Sequence, residues 1–261
     1  MKVAVLQMAS GEDKRANLEK AARMVREAAV RGAELAVLPE LFNFLPRRME
    51  KDWCLPNAEG EEGETIRRLK EISKEEGMAI VAGSIIEREG ERLYNTAFVL
   101  AEGEAVGKYR KNHLFNYGKI NESQVFAAGD SPAVLDLLGA KVGITICYDL
   151  RFPELFRAEA LLGAEVIVNA AAFLEETGRA HWMPLLRARA IENQAYIIAA
   201  NQAGAEENRF RYYGHSCIID PWGRVVRRAG SEEGIIIGCL RRERVMAARE
   251  KIPILKDYKE Y

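Results

Sequence analysis

The sequence predicts an α/β protein whose mixed β-sheets are covered by helices. Three observations lead there. Short apolar runs alternate with amphipathic helical segments along the whole chain, several neighbouring strands are joined by tight glycine turns, and no repeat or Pro/Ser-rich linker divides the 261 residues. Strand–helix–strand units alone would build a parallel sheet, but the hairpins among them demand antiparallel pairs as well, so a purely parallel barrel is not expected. One α/β domain spanning 1–261 is the economical division.

The elements follow in order. Lys2–Met8 is an apolar strand. Asn17–Arg31 places Leu18, Ala21, Ala22, Val25, Ala28 and Ala29 on one helical face, with Gly32 as a stop. Leu35–Leu38 reads as a buried strand running into Pro39-Glu40, and a helix over Glu64–Glu76 carries Ile66, Leu69 and Ile72 inward before Gly77. Met78–Ile86, Leu93–Leu100 and Ala105–Tyr109 are strands joined by Glu89-Gly90 and Glu102-Gly103 turns. Lys111–Asp130 has no clear period and is long for a plain connection, as functional loops often are. After it come a strand ending at Cys147, a helix over Pro153–Leu162, a strand over Glu165–Asn169, a helix near Ala180–Asn193 and a strand over Tyr196–Ala200. A hairpin, His215–Pro221 with Arg224–Arg228, precedes a strand over Gly234–Leu240 and a short helix.

Charge and composition remove several classes of function. The 38 basic and 39 acidic side chains leave a net charge of -1, without the clustered basic face that a nucleic-acid partner requires. No run approaches the roughly 20 apolar residues needed to span a bilayer, and Met1–Gln7 reads straight into a strand without a charged-then-apolar leader. A cytoplasmic location is therefore expected. Cys54, Cys147, Cys217 and Cys239 are scattered, as are His113, His181 and His215, so no metal site and no disulfide are expected. The signatures Gly-x-x-x-x-Gly-Lys-Ser/Thr, Gly-x-Gly-x-x-Gly, Gly-x-Ser-x-Gly and His-Glu-x-x-His are all absent, which argues against kinases, Rossmann dehydrogenases, serine hydrolases and zinc peptidases.

Cys147 is the first candidate for chemistry. A cysteine ending an apolar strand is most often core packing, but Tyr148-Asp149-Leu150-Arg151-Phe152-Pro153-Glu154 is polar and puts Pro153 at a first helical position. Such a strand-to-helix corner exposes its side chain, favours a thiolate and offers backbone N–H groups to an oxyanion. A thiol needs a base. Each histidine has a structural explanation of its own, whereas Glu40 sits at the carboxyl end of a buried strand, where α/β sheets place active sites; its alternative is a loop carboxylate meeting solvent. Lys111, within Gly107–Phe115, reads by itself as part of a solvated basic cluster.

Taken together, Leu38-Pro39-Glu40, Tyr109-Arg110-Lys111-Asn112-His113-Leu114-Phe115 and Gly143-Ile144-Thr145-Ile146-Cys147-Tyr148-Asp149-Leu150-Arg151-Phe152-Pro153-Glu154 resemble the nitrilase (carbon–nitrogen hydrolase) superfamily in order and approximate spacing. The resemblance covers essentially the whole chain. It implies Cys147 as nucleophile, Glu40 as general base, Lys111 as cationic stabiliser, and Glu122, ahead of Phe126-Ala127-Ala128-Gly129-Asp130, as a second glutamate. The backbone N–H of Tyr148 is implied as a further oxyanion donor. The implied fold is a four-layer α-β-β-α sandwich of two mixed sheets, commonly paired as a homodimer or higher homo-oligomer. No cofactor is implied.

The segments Ala171–Trp182, Leu186–Gln194 and Tyr213–Gly223 are similar to the Nit branch, which contains ω-amidases and deaminated-glutathione amidases. That similarity implies a small-molecule amide substrate carrying a carboxylate, with Arg151, Phe173 and Thr177 lining its pocket. A structural pairing of Arg151 with Glu154 is the alternative. A nitrile, an N-carbamoyl compound or an aliphatic amide are alternative substrates. Two features depart from the branch: Asn169-Ala170 stands where many members have a proline, and the loop Asn116–Asn121 is shorter than in typical ω-amidases. Arg47, Arg48 and Lys51 add positive charge after Glu40, read as solvated surface with an anionic substrate as the alternative.

Overall fold

The computed structural model describes residues 1–204 and 210–259. In chain order its elements are β1 (Lys2–Gln7), α1 (Lys14–Val30), β2 (Leu35–Val37), α2 (Lys51–Cys54), α3 (Glu64–Glu76), β3 (Ala79–Glu89), β4 (Arg92–Ala101) and β5 (Glu104–Arg110). There follow β6 (Asn116–Tyr117), β7 (Ile120–Asn121), β8 (Val134–Leu137), β9 (Ala140–Ile146), α4 (Pro153–Leu161), β10 (Val166–Ala171), α5 (Glu175–Asn193), β11 (Tyr196–Asn201), β12 (Cys217–Ile219), β13 (Val225–Arg228), β14 (Gly234–Cys239), α6 (Arg242–Lys251) and α7 (Ile254–Asp257).

Two six-stranded mixed sheets result, ordered β14-β1-β2-β3-β4-β5 and β13-β12-β11-β10-β9-β8. Each has three parallel strands at its centre, β1-β2-β3 and β9-β10-β11, flanked by antiparallel partners. Side-chain alternation explains the layering. Val3 and Val5 of β1 point to one core, together with Leu35, Val37 and Val81, and meet Ile144, Ile146, Val168 and Ile198 of the other sheet. Ala4 and Leu6 point the opposite way, against Val25 of α1 and Ile66 and Leu69 of α3. The second sheet is covered in turn by Phe156 of α4 and Trp182 and Leu186 of α5. The order of layers is therefore α-β-β-α. Both faces of each sheet are buried, which is why the strands read as continuous apolar runs.

Local chemistry sets the boundaries that the sequence misjudges. α1 starts at Lys14, because the Asp13 side chain accepts from Ala16 N at 3.0 Å and caps the helix. α5 starts at Glu175 rather than near Ala180, so Thr177 and Gly178 lie within its first turns. β8 adds an edge strand to β9 in antiparallel register, with Leu137 opposite Ala140. The stretch after Lys111 holds the two-residue pair β6/β7 and a 3₁₀ turn, Glu122–Gln124. Among the described residues no helix is long and apolar enough to cross a membrane. An isolated parallel bridge between Met8 and Gln202 joins the carboxyl ends of β1 and β11, so the two sheets bring those ends together at one edge of the sandwich.

Candidate active site

Glu40, Lys111, Glu122 and Cys147 meet at that edge. Glu40 lies just past β2, on a chain that turns sharply: Leu41 adopts φ +51° and its N–H donates to Ser84 Oγ at 2.9 Å. Gln202 Nε2 donates to the Glu40 carbonyl at 2.9 Å, tying the turn to the second sheet. The backbone of Leu38 and Pro39 runs so close to β3 that a Cβ at Gly83 would stand 2.1 Å from the Pro39 oxygen. Glycine is therefore a requirement of the position of Glu40, not a flexibility.

Lys111 immediately follows β5, where its N–H donates to the Asn95 carbonyl at 2.9 Å. Its Nζ donates to Glu40 Oε1 at 2.8 Å and sits 2.9 and 2.8 Å from the two carboxylate oxygens of Glu122. Glu40, Lys111 and Glu122 are 2, 1 and 4% exposed, so this cation is held between two carboxylates in nearly complete burial. Burial by itself would push the Lys111 ammonium down; Glu122 and then Glu40 overcome it and hold the group well above its usual value. Burial raises the Glu122 carboxyl above the usual carboxylate range, with Lys111 pulling the other way. Glu122 Oε2 also accepts from Phe115 N at 2.7 Å.

Cys147 opens a 3₁₀ turn, Cys147–Arg151, directly after β9, at φ +46°. This left-handed conformation costs a residue with a Cβ on the order of 1 kcal/mol or more, and such strain clusters at functional sites. Asp149 holds the corner. Its carboxylate accepts from Ile146 N at 2.9 Å, Tyr109 Oη at 2.8 Å and His113 N at 3.0 Å. Burial pushes the Cys147 thiol well above its usual value, Glu40 adds to the effect, and Lys111 opposes it. Burial at this position thus disfavours a preformed thiolate.

A cavity of about 650 Å³ opens onto Glu40, Lys111, Glu122 and Cys147. A somewhat larger groove, about 740 Å³, runs between α1 and α3, but arginines and glutamates line it and no nucleophile does. The four residues expected to act together line the former.

Residues 2–250 match the model of the family described as carbon-nitrogen hydrolase. The chain belongs to the carbon–nitrogen hydrolase family. It is 39% identical to the omega-amidase NIT2 of Mus musculus over 268 aligned positions, covering 98% of this chain and 94% of the relative. Among solved structures, Nit3 of Saccharomyces cerevisiae, a member of branch 10 of the nitrilase superfamily, superposes with a TM-score of 0.90 at 33% identity, covering 98% of this chain and 96% of the other. A mutant amidase from Nesterenkonia sp. AN1, carrying the acetamide moiety of fluoroacetamide covalently added at its active-site cysteine, superposes with a TM-score of 0.84 at 28% identity. That match covers 99% of this chain and 94% of the other.

In this carbon–nitrogen hydrolase the four residues expected to act together are brought together, and Tyr148 follows Cys147 in the turn with its ring packed 5.0 Å from Phe115 and 5.2 Å from Phe152. The expected carboxylate-binding residues Arg151, Phe173 and Thr177 lie between the turn that Cys147 opens and the first turn of α5. Arg151 Nη1 lies 3.1 Å from His181 Nδ1 and its guanidinium rests 5.1 Å from the Phe173 ring. Phe173 packs on Trp182, and Thr177 Oγ1 turns back to the Leu174 carbonyl at 3.5 Å because it sits in the first turn of α5. Ala172 and Leu174, on either side of Phe173, line the cavity. Arg151 makes no ion pair with Glu154 among the described residues. Two groups escaped sequence reasoning. Asn95 Nδ2 donates to Glu40 Oε1 at 2.8 Å, and the Ala172 N–H donates to Glu40 Oε2 at 2.8 Å while also favouring the Cys147 thiolate. Asn95 is detectable as a polar residue inside an otherwise buried strand; a backbone N–H leaves no mark in a sequence.

Proposed function

We propose that this hydrolase is a thiol amidohydrolase that cleaves the C–N bond of a small linear amide bearing a carboxylate, releasing ammonia or an amine. The observation that carries the reading is the placement of Lys111 between Glu40 and Glu122, at 2.8–2.9 Å, on the wall of the cavity that Cys147 enters.

The reaction follows from those groups. As Cys147 Sγ attacks the amide carbonyl carbon, its proton passes to Glu40, so the thiolate need never accumulate in a site that disfavours it. The carbonyl oxygen becomes an oxyanion, stabilised by the Lys111 ammonium and the backbone N–H of Tyr148; such donors contribute about 3–4 kcal/mol each where they have been removed. Glu40 returns the proton to the leaving nitrogen, the C–N bond breaks, and a thioester remains on Cys147. Glu40 then takes a proton from water, whose oxygen attacks the thioester, and collapse restores the thiol with a carboxylic acid product. Glu122 keeps Lys111 charged and pinned. Asn95 and the Ala172 N–H orient the two oxygens of Glu40. The 39% identity to an omega-amidase supports an amide with a distant carboxylate as substrate. A thiol nucleophile also fits a reducing cytoplasm.

Ammonia release across a panel of ω-amides, aliphatic amides, nitriles and N-carbamoyl compounds tests the reading, with Cys147→Ala as control. Turnover of the ω-amides that Cys147→Ala abolishes is expected. Absence of turnover across the panel, with Cys147 alkylated no faster than an ordinary buried thiol, would overturn it.

A further inference from the structure

The two oxygens of Glu40 are not equivalent. Oε1 accepts from Asn95 Nδ2 and from Lys111 Nζ, each at 2.8 Å, whereas Oε2 accepts from the Ala172 N–H at 2.8 Å. An ionised carboxylate oxygen offers about two lone-pair sites, so Oε1 is saturated while Oε2 keeps one site open. A proton arriving on Oε1 would have to displace a donor that is itself buried, Asn95 or Lys111. Asn95 acts twice, because its carbonyl also accepts the Lys111 N–H at 2.9 Å. One residue of β4 thus anchors the cation through its main chain and closes Oε1 through its side chain.

The donor to Oε2 is held from both sides. Ala172 follows β10, and the peptide group that carries its N–H ends in the Ala171 carbonyl, which accepts from Gln202 N at 2.9 Å. Phe173 N donates to Asn201 Oδ1 at 2.8 Å. Accepting at its oxygen polarises the peptide and strengthens it as a donor at its nitrogen. The same N–H also favours the thiolate of Cys147, so two successive carriers of negative charge share one fixed donor.

We propose that Glu40 takes up and returns the proton through Oε2 alone, with Asn95 as the positioning residue that closes Oε1, and that the Ala172 N–H is a catalytic donor shared between Oε2 and Cys147 Sγ. The proposal rests on the amidohydrolase reading of the site. At rest the N–H balances the charge on Oε2. As the S–H bond breaks and an O–H bond forms on Oε2, the sulfur electron pair attacks the carbonyl carbon. In thioester hydrolysis, collapse of the second tetrahedral species breaks the C–S bond and leaves the electron pair on sulfur. The N–H stabilises that departing thiolate until Oε2 returns the proton to it. The other charged groups facing Glu40 are Lys111 and, across it, Glu122; neither gains nor loses a proton in this scheme.

Two variants test the roles: Asn95→Leu, and an ester in place of the Ala172 N–H, introduced as lactic acid at that position. Asn95 Oδ1 has no partner, so Leu keeps the shape and removes a single donor. Each variant is read by the pH dependence of kcat/KM for an ω-amide and by that of Cys147 alkylation with iodoacetamide, which needs no turnover. Loss of a hydrogen bond to a charged group corresponds to a shift of about one pH unit or more. Asn95→Leu should raise the acid limb of kcat/KM by about that much, lower kcat about tenfold with KM little changed, and leave the alkylation profile in place. The ester should raise the acid limb and also move the alkylation profile about one unit to higher pH. An acid limb unmoved in Asn95→Leu, or an alkylation profile unmoved in the ester, overturns the proposal. If the ester shifts alkylation while wild type hydrolyses no amide, the amidohydrolase reading falls and the shared donor stands.

Discussion

Replacing Lys111 by Met tests the electrostatic core of the site, because Met fills the stem's volume and removes only the charge. The ammonium bridges Glu40 Oε1 at 2.8 Å and both oxygens of Glu122 at 2.8–2.9 Å, with all three residues under 5% exposed. Removing one partner of a buried ionic set costs about 3–5 kcal/mol, since the remaining charges keep their desolvation penalty. The protein can escape part of that cost by taking up a proton. Glu122 is the natural acceptor, because burial already raises its carboxyl despite Lys111. Without Lys111 its folded-state pKa rises further, while the unfolded value stays near the ordinary 4.3. A carboxyl raised in the folded state is destabilising above its unfolded pKa, so the variant loses stability as pH climbs from about 4.5. Urea unfolding of both proteins at pH 5 and pH 8.5 should therefore show a gap that is small at the acid end and grows toward about 3–5 kcal/mol at the alkaline end. Amidase activity should fall by about a hundred- to a thousandfold from the lost oxyanion stabilisation. A gap independent of pH, or activity within tenfold of wild type, would refute the electrostatic account.

Two further substitutions probe what positions the site. In Gly83→Ala the new methyl meets the Pro39 and Leu38 carbonyl oxygens at 2.1 and 2.2 Å, so the Glu40 turn must shift; kcat should drop at least about tenfold and stability by about 1–3 kcal/mol, and a fully active variant would show that the turn has slack. Glu159, on α4, is fully buried with Oε2 unpartnered, and burial followed by the nearby Asp149 holds its carboxyl well above the usual range. Its folded pKa exceeds its unfolded one, so it erodes stability as pH rises above about 4.5, by up to ~1.4 kcal/mol per pH unit. Glu159→Gln should remove that slope and leave the variant relatively more stable at pH 8 than at pH 5, as read from urea midpoints; parallel pH curves would count against it.

The strands were legible because their faces are both buried, and a run such as Val3-Ala4-Val5-Leu6 needs no alternation to announce itself. β8 escaped because only Leu137 of its four residues is buried and an edge strand has little apolar signal to give. The start of α5 escaped because Thr177-Gly178 carries poor helix propensity, which packing overrides: the Gly178 Cα lies so near Tyr213 that a side chain would strike its ring. Glu40, Lys111, Glu122 and Cys147 could be picked out as motifs, and each hangs from the end of a strand or a tight turn whose course the neighbouring residues determine. Arg151 shows the limit. Four positions after Cys147 in a 3₁₀ turn fixes its backbone near the cavity but not the contacts of a long side chain, which rests against the Phe173 face and His181.

The positions of the histidines bear on the proton transfer proposed for Glu40. Most thiol nucleophiles use an imidazole, yet His113 is stacked 3.6 Å from Phe152 and gives both its backbone N–H and its Nδ1 to Asp149 Oδ1, at 3.0 and 2.8 Å. His181 is engaged with Arg151, and His215 Nδ1 lies against the Tyr213 carbonyl. None of them lines the cavity. His113 nevertheless matters to it, because Asp149 binds His113 and Tyr109 with one carboxylate and Ile146 with the same group, knotting the end of β5 to the turn that carries Cys147. Lys111 is two residues beyond Tyr109 and Cys147 two before Asp149. The separation of cation and nucleophile is thus set by a backbone-anchored knot, not by side chains that must find each other. With imidazole engaged in these contacts, the proposed role of general base falls to the carboxylate of Glu40, which lines the cavity beside Cys147.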